Sequence, residues 1–145
     1  MIFQLLKAEK ANFYTTGFTG RNVTDLKPLL FSLDAVLIDI RMSPHSSSVQ
    51  WNQAYLKILL KGKYRHVAQL GNRHSVNEPI AIQHLALGVQ ILVSFGVNAV
   101  LMCECAEAQN CHRMVIAREL GRQGFQVEEL RNWKASATES FVSYP

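Results

Sequence analysis

Residues 97–123 read VNAVLMCECAEAQNCHRMVIARELGRQ, and they hold a complete strand-to-helix unit. Residues 99–103 form a short apolar run of the kind buried in a parallel sheet, the next residues are polar, and a helical period begins at or near Cys111. In an open α/β sheet such a junction lies at the carboxyl edge of the strands, where ligands bind. All three cysteines of the chain fall inside it, and Cys111 is followed directly by His112 and Arg113. A helix start presents free N–H groups and a positive dipole end, so it favours a thiolate at Cys111 and can hold an anion beside it.

Outward from this unit the same alternation repeats. Upstream, residues 13–16 are rich in β-formers and run into Gly17-Phe18-Thr19-Gly20-Arg21, a two-glycine loop that can turn sharply and expose N–H groups. Asn22 is a helix cap, and the helix ends near Leu33, made short, late-starting or kinked by Pro28. Residues 35–40, AVLIDI, are almost continuously apolar, as a strand buried on both faces requires, with Asp39 the exception. The polar loop RMSPHSSS at 41–48 leads to a helix over about 49–60, ended by Gly62. A third strand is expected over 65–70, then a polar loop with His74, then a long helix from Pro79 to Phe95 stopped by Gly96. Downstream, residues 126–130 complete the sheet. The tail at 131–145 shows no period and is expected to wrap the surface, and residues 1–11 are an arm or an extra strand.

Strands separated by helices mean βαβ units with right-handed crossovers. The expected fold is a single α/β domain over 1–145, three-layered, with a mostly parallel sheet of about five strands and helices on both faces. A chain of 145 residues with 48% hydrophobic and 18% charged residues can bury the core this needs. The net charge of +4 permits a polyanionic partner, but the basic residues are scattered and form no block. An odd, clustered set of cysteines points to free thiols and a reducing, cytoplasmic setting. The start MIFQLLKAEKA lacks the length and cleavage site of a signal peptide. The longest apolar tract, residues 85–103, contains Gln90, Ser94 and Asn98 and breaks at Gly96, so no membrane span is expected.

The loops after the first, second and fourth strands should emerge on one sheet edge and bring three reactive segments together. Cys111, His112 and Asp39 are the catalytic candidates. Arg41, Arg113, Gly17, Thr19, Arg21 and Ser46 are the candidate substrate contacts, the two arginines holding an anion and the glycine loop giving N–H donors. For Cys111 the bland alternative is a small buried hydrophobe, and for Asp39 with Arg41 it is a structural ion pair, since residues two apart on a strand share a face.

The combination Tyr14-Thr15-Thr16-Gly17, Ile38-Asp39-Ile40-Arg41 with Pro44 and Ser46, Gln69-Leu70-Gly71, Leu101-Met102-Cys103 and Cys111-His112-Arg113 resembles the domain-of-unknown-function 488 family over about residues 14–130. The resemblance implies a single α/β domain and supplies no activity. Two positions depart from the family pattern, Phe18 where a histidine is frequent and Cys105 where a glutamate is frequent.

Two named chemistries fail on spacing. A phosphatase loop needs five residues between a strand-end cysteine and its arginine, whereas Cys103 and Cys105 are too far from Arg113 and Cys111 is too close. Zinc is disfavoured because a Cys-x-Cys in extended backbone points to opposite faces and an adjacent Cys-His pair rarely closes one tetrahedron. No Walker loop, dinucleotide fingerprint or serine elbow is present. The expectation is therefore an enzyme, a hydrolase or transferase with no cofactor, for an anionic substrate that is phosphate-bearing, a nucleotide or a nucleic acid. Its rivals are a non-catalytic ligand sensor and an accessory protein that docks on nucleic acid. Oligomeric state is not legible.

Overall fold

A computed structural model describes residues 10–74 and 78–134 and the backbone of 141–143. Most of the expected arm at 1–11 and of the tail at 131–145 lies outside the described residues. Strands β1 (Asn12–Gly17), β2 (Ala35–Asp39), β3 (Tyr64–His66), β4 (Asn98–Cys103) and β5 (Gln126–Leu130) run parallel in the order β3-β2-β4-β1-β5. A further strand, β6 (Phe141–Ser143), pairs antiparallel with β5 at one edge. That is a correction to the tail: its end continues the sheet.

The helices α1 (Leu26–Leu33), α2 (Gln53–Leu60), α3 (Leu85–Ser94) and α4 (His112–Arg122) cover both faces. Strand side chains alternate between faces, and that parity sorts the core in two. Ala35, Leu37, Val100 and Met102 pack with Leu26, Leu30 and Leu56 of α1 and α2. Ile38, Ala99, Leu101 and Cys103 pack with Val89, Leu92, Ile116 and Leu120 of α3 and α4. Burial on both faces is the reason that β2 and β4 read as unbroken apolar runs. Among the described residues no helix is long and apolar enough to cross a membrane.

Two boundaries differ from expectation, each because a backbone partner outweighs propensity, while the short, late-starting helix around Pro28 is as expected. The strand expected over 65–70 ends at His66, where Val67 N–H donates to the Asp39 carbonyl and the chain turns into a 3-10 segment, Ala68–Leu70. The helix expected from Pro79 starts at Leu85, capped by the His84 ring. Residues before it are held extended by the Asn72–Ile82 bridge and by Arg73 N–H on the Ala81 carbonyl at 2.8 Å. Pro28 is accommodated in the first turn of α1, after a 3-10 turn, Val23–Asp25, capped by the Asn22 side chain, so no helical N–H is lost.

β1 and β4 are neighbours, yet the helix after β1 lies on one face and the helix after β4 on the other. Their carboxyl ends thus form a topological switch point, and the loops there flank an open crevice.

Candidate functional site

Asp39 ends β2 on the α1–α2 face and is completely buried. Its Oδ1 accepts from Arg41 Nε at 2.9 Å and from the Arg41 backbone N–H at 3.2 Å, while Oδ2 accepts from Arg41 Nη2 at 2.7 Å and Tyr64 Oη at 2.6 Å. Arg41 Nη2 also donates to the Trp51 carbonyl, and the guanidinium lies over the Phe18 ring, which stacks on Trp51 at 4.5 Å. Burial opposes the Arg41 charge, but the Asp39 bond and charge overcome it and hold the guanidinium protonated; burial and then Asp39 push the Tyr64 hydroxyl up. This is the buried ion pair that the strand spacing allows. With its acceptors engaged, Asp39 anchors Arg41 and offers no oxygen to a substrate.

Arg113 has no exposed surface, although it follows a surface loop. Nε and Nη2 form a fork on Glu129 at 3.1 and 2.8 Å. Nη1 reaches the Cys105 carbonyl at 2.8 Å, Cys103 Sγ at 3.2 Å and Cys111 Sγ at 3.4 Å, and Nη2 also reaches the Ala106 carbonyl. Arg113 therefore ties the strand-end sulfurs, the loop and β5 together. Burial works against its charge, and Glu129 and the sulfurs restore it.

Cys103 Sγ and Cys111 Sγ stand 3.1 Å apart, and both residues are buried, Cys111 with 2% exposed. Cys105 is half-buried and its thiol interacts with both. Hydrogen bonds from the other two thiols pull the Cys105 thiol down, whereas bonding to Cys105 and Cys111 and burial push Cys103 up. His112 Nδ1 lies 3.8 Å from Cys111 Sγ, and Nε2 contacts the Ile40 carbonyl at 2.9 Å. Burial drives the His112 ring toward its neutral form. Because a carbonyl only accepts, Nε2 carries the proton and Nδ1 keeps its lone pair toward the sulfurs.

The spacing argument against a shared ligand set fails here for a local reason. β4 ends at Cys103, so Cys103 and Cys105 do not lie in one extended run. Cys111 is the N-cap of α4 with extended φ −110° and ψ 145°, so Cys111 and His112 are not two successive helical positions. Both premises of that exclusion belonged to regular backbone.

Two openings lie at the carboxyl edge. The switch-point crevice, of about 540 Å³, is lined by Thr19, Arg21, Glu107, Gln109, Glu129 and Arg131 among others. A second pocket, of about 210 Å³, is walled by Arg41, His45, His74, Cys103, Cys105 and His112, with Met42, Ser43, Asn72 and Glu104 completing it. The second pocket brings Arg41 to the sulfur cluster, with Cys103, Cys105 and His112 on its wall. Arg113 and Cys111 lie behind that wall and do not line it.

The glycine loop does not act as an N–H cradle. Phe18 N–H donates to the Cys103 carbonyl and Thr19 N–H to the Glu104 carbonyl, extending the β1–β4 ladder, and Thr19 Oγ1 bonds Glu104 as well. Gly17 is needed for close approach, since a Cβ there would fall 1.5 Å from the Cys105 carbonyl oxygen. Arg21 donates to the carbonyls of Gly17, Leu130 and Arg131, and Ser46 Oγ accepts from Ser48 N–H within its turn. These four residues build the loops around the site. Sequence reasoning missed Cys105, His45, His74 and Glu129. Cys105 was legible only as the third member of the cysteine cluster and His45 and His74 only as loop histidines, while Glu129 joins through a fold-level neighbour relation. No family model matches the chain, and neither the curated proteins nor the solved structures contain a match to it.

Proposed function

We propose that the protein is an enzyme, a hydrolase or transferase, acting on a small anionic substrate in the Arg41 pocket. One observation carries this reading. Arg41 Nη1 is the only buried side-chain nitrogen or oxygen among the described residues without a hydrogen-bond partner. Leaving such a donor unpaired costs on the order of 1–3 kcal/mol, more for a charged group, and a bound carboxylate or phosphate oxygen is the acceptor that a guanidinium prefers. Asp39 and the Phe18 ring hold Arg41 in position before any ligand arrives. Exposed imidazoles of His45 and His74 line this pocket together with sulfur and imidazole from Cys103, Cys105 and His112, which form its reactive wall.

Thermal unfolding with inorganic phosphate, pyrophosphate and nucleotides, alongside a turnover screen on phosphate and carboxylate esters, tests the reading. An anion should stabilise the wild type, by about 2.7 kcal/mol at a hundred times its Kd. The double variant His45→Ala, His74→Ala should lose at least tenfold in turnover while staying folded and keeping that shift, because Arg41 is untouched. If no anion shifts the transition and no ester turns over, the proposal fails.

A further inference from the structure

We infer that Cys103, Cys111 and His112 form a binding site for one thiophilic divalent cation of the zinc type, with its fourth coordination position open to the Arg41 pocket. The three ligand atoms lie within 4.8 Å of one another, and all three residues are buried. In a tetrahedral shell with metal–sulfur bonds of about 2.3 Å and metal–nitrogen bonds of about 2.0 Å, two sulfurs stand about 3.8 Å apart and sulfur and nitrogen about 3.5 Å apart. The Cys111–His112 separation of 3.8 Å already fits, and the two sulfurs at 3.1 Å need to part by less than an ångström.

The surroundings are those of a metal centre. A ligating histidine uses its other ring nitrogen to hold a carbonyl or carboxylate, as Nε2 of His112 holds the Ile40 carbonyl at 2.9 Å. That bond fixes Nδ1 as the lone pair facing sulfur. Arg113 Nη1 donates toward both sulfurs, as a donor to metal-bound thiolates does. Charge balances as well: a dication neutralises two thiolates, and Arg113 is neutralised by Glu129. The open side is set by Cys103, His112 and Cys105 on the pocket wall, Cys105 standing outside the three-atom cluster. Two soft sulfurs with one imidazole select zinc or cobalt over magnesium or calcium. A simple disulfide pair would leave the pinned imidazole without a purpose.

This inference goes beyond the proposed function, because a cation can occupy the site whether or not the pocket turns a substrate over. Full-length protein, reduced and stripped with chelator, is titrated anaerobically with Co²⁺. One equivalent should develop tetrahedral visible bands and thiolate charge-transfer absorption, and Zn²⁺ should displace both. X-ray absorption on the zinc form should count two sulfurs. Cys111→Ser and His112→Ala should each weaken Co²⁺ by at least about 100-fold, the upper end of what outer-shell partners alone cost. Since those residues are buried, wild-type thiol counting is the companion measurement: saturating Zn²⁺ should protect Cys103 and Cys111 from alkylation under mild denaturant. Three sulfurs in the shell would overturn the open position. No saturable Co²⁺ binding, or an oxygen-dominated shell, would overturn the site, whereas phosphate-ester turnover by the metal-free protein bears on the proposed function alone.

Discussion

Arg113 shows how much of this site is construction. Its donors serve Glu129, two carbonyls and two sulfurs, and truncating one member of a buried pair strands the other. Arg113→Met is therefore expected to lower stability by about 3–5 kcal/mol in chemical denaturation. Arg113→Lys should recover little of it, because an ammonium cannot reproduce a planar fork that also reaches the sulfurs. The thiols differ in the same way. Cys105 is half-buried while Cys103 and Cys111 are sealed, so iodoacetamide on native, metal-free protein should label Cys105 first by peptide mapping. Equal labelling of Cys111 before unfolding would contradict the packing described.

At the scale of elements, the site depends on how closely the ends of β1 and β4 approach. The ladder continues past both strands through Phe18 and Thr19, and Gly17 passes beneath the Cys105 carbonyl with no room for a methyl group. Gly17→Ala should consequently push the 104–110 loop away and cost about 3 kcal/mol, the upper part of the range for overpacking. Its denaturant midpoint and the labelling rate of Cys103 would report this together; a silent substitution would mean that the loop is not seated on β1. The Phe18 ring backs Arg41 and stacks on Trp51, which itself meets Trp133 edge-on at 6.0 Å. Aromatic packing thus joins the loops after β1 and β2 to the chain beyond β5.

Across the whole molecule, the two cores share one sheet, so neither can melt alone without stripping a face from β2, β4 and β1. Both tryptophans lie in the α1–α2 core and two of the cysteines in the α3–α4 core, which gives each face its own reporter. Trp emission and Cys103 and Cys111 exposure should change at the same denaturant concentration, as a single cooperative unit requires. Separate midpoints would show that the faces unfold independently.

The sequence by itself determined the architecture: apolar runs at β2 and β4, helical periods between strands and a strand-to-helix junction rich in sulfur are local patterns, and periodicity carries them. It also located Asp39 with Arg41 and the Cys-His-Arg run at the same sheet edge. Tertiary structure alone decided which of these residues face a pocket. Glu129 on β5 turns Arg113 inward, Tyr64 on β3 and Trp51 after β2 lock Asp39 and Arg41, and Ile40 sets the His112 ring. Those partners lie 10 to 72 positions from the residues they control, and neither periodicity nor motif links them. The spacing argument did not anticipate the meeting of Cys103, Cys111 and His112 for the same reason. It assumed regular backbone at Cys103–x–Cys105 and Cys111–His112, whereas the end of a strand and the cap of a helix are where backbone direction changes and where side chains distant on paper come to face one point.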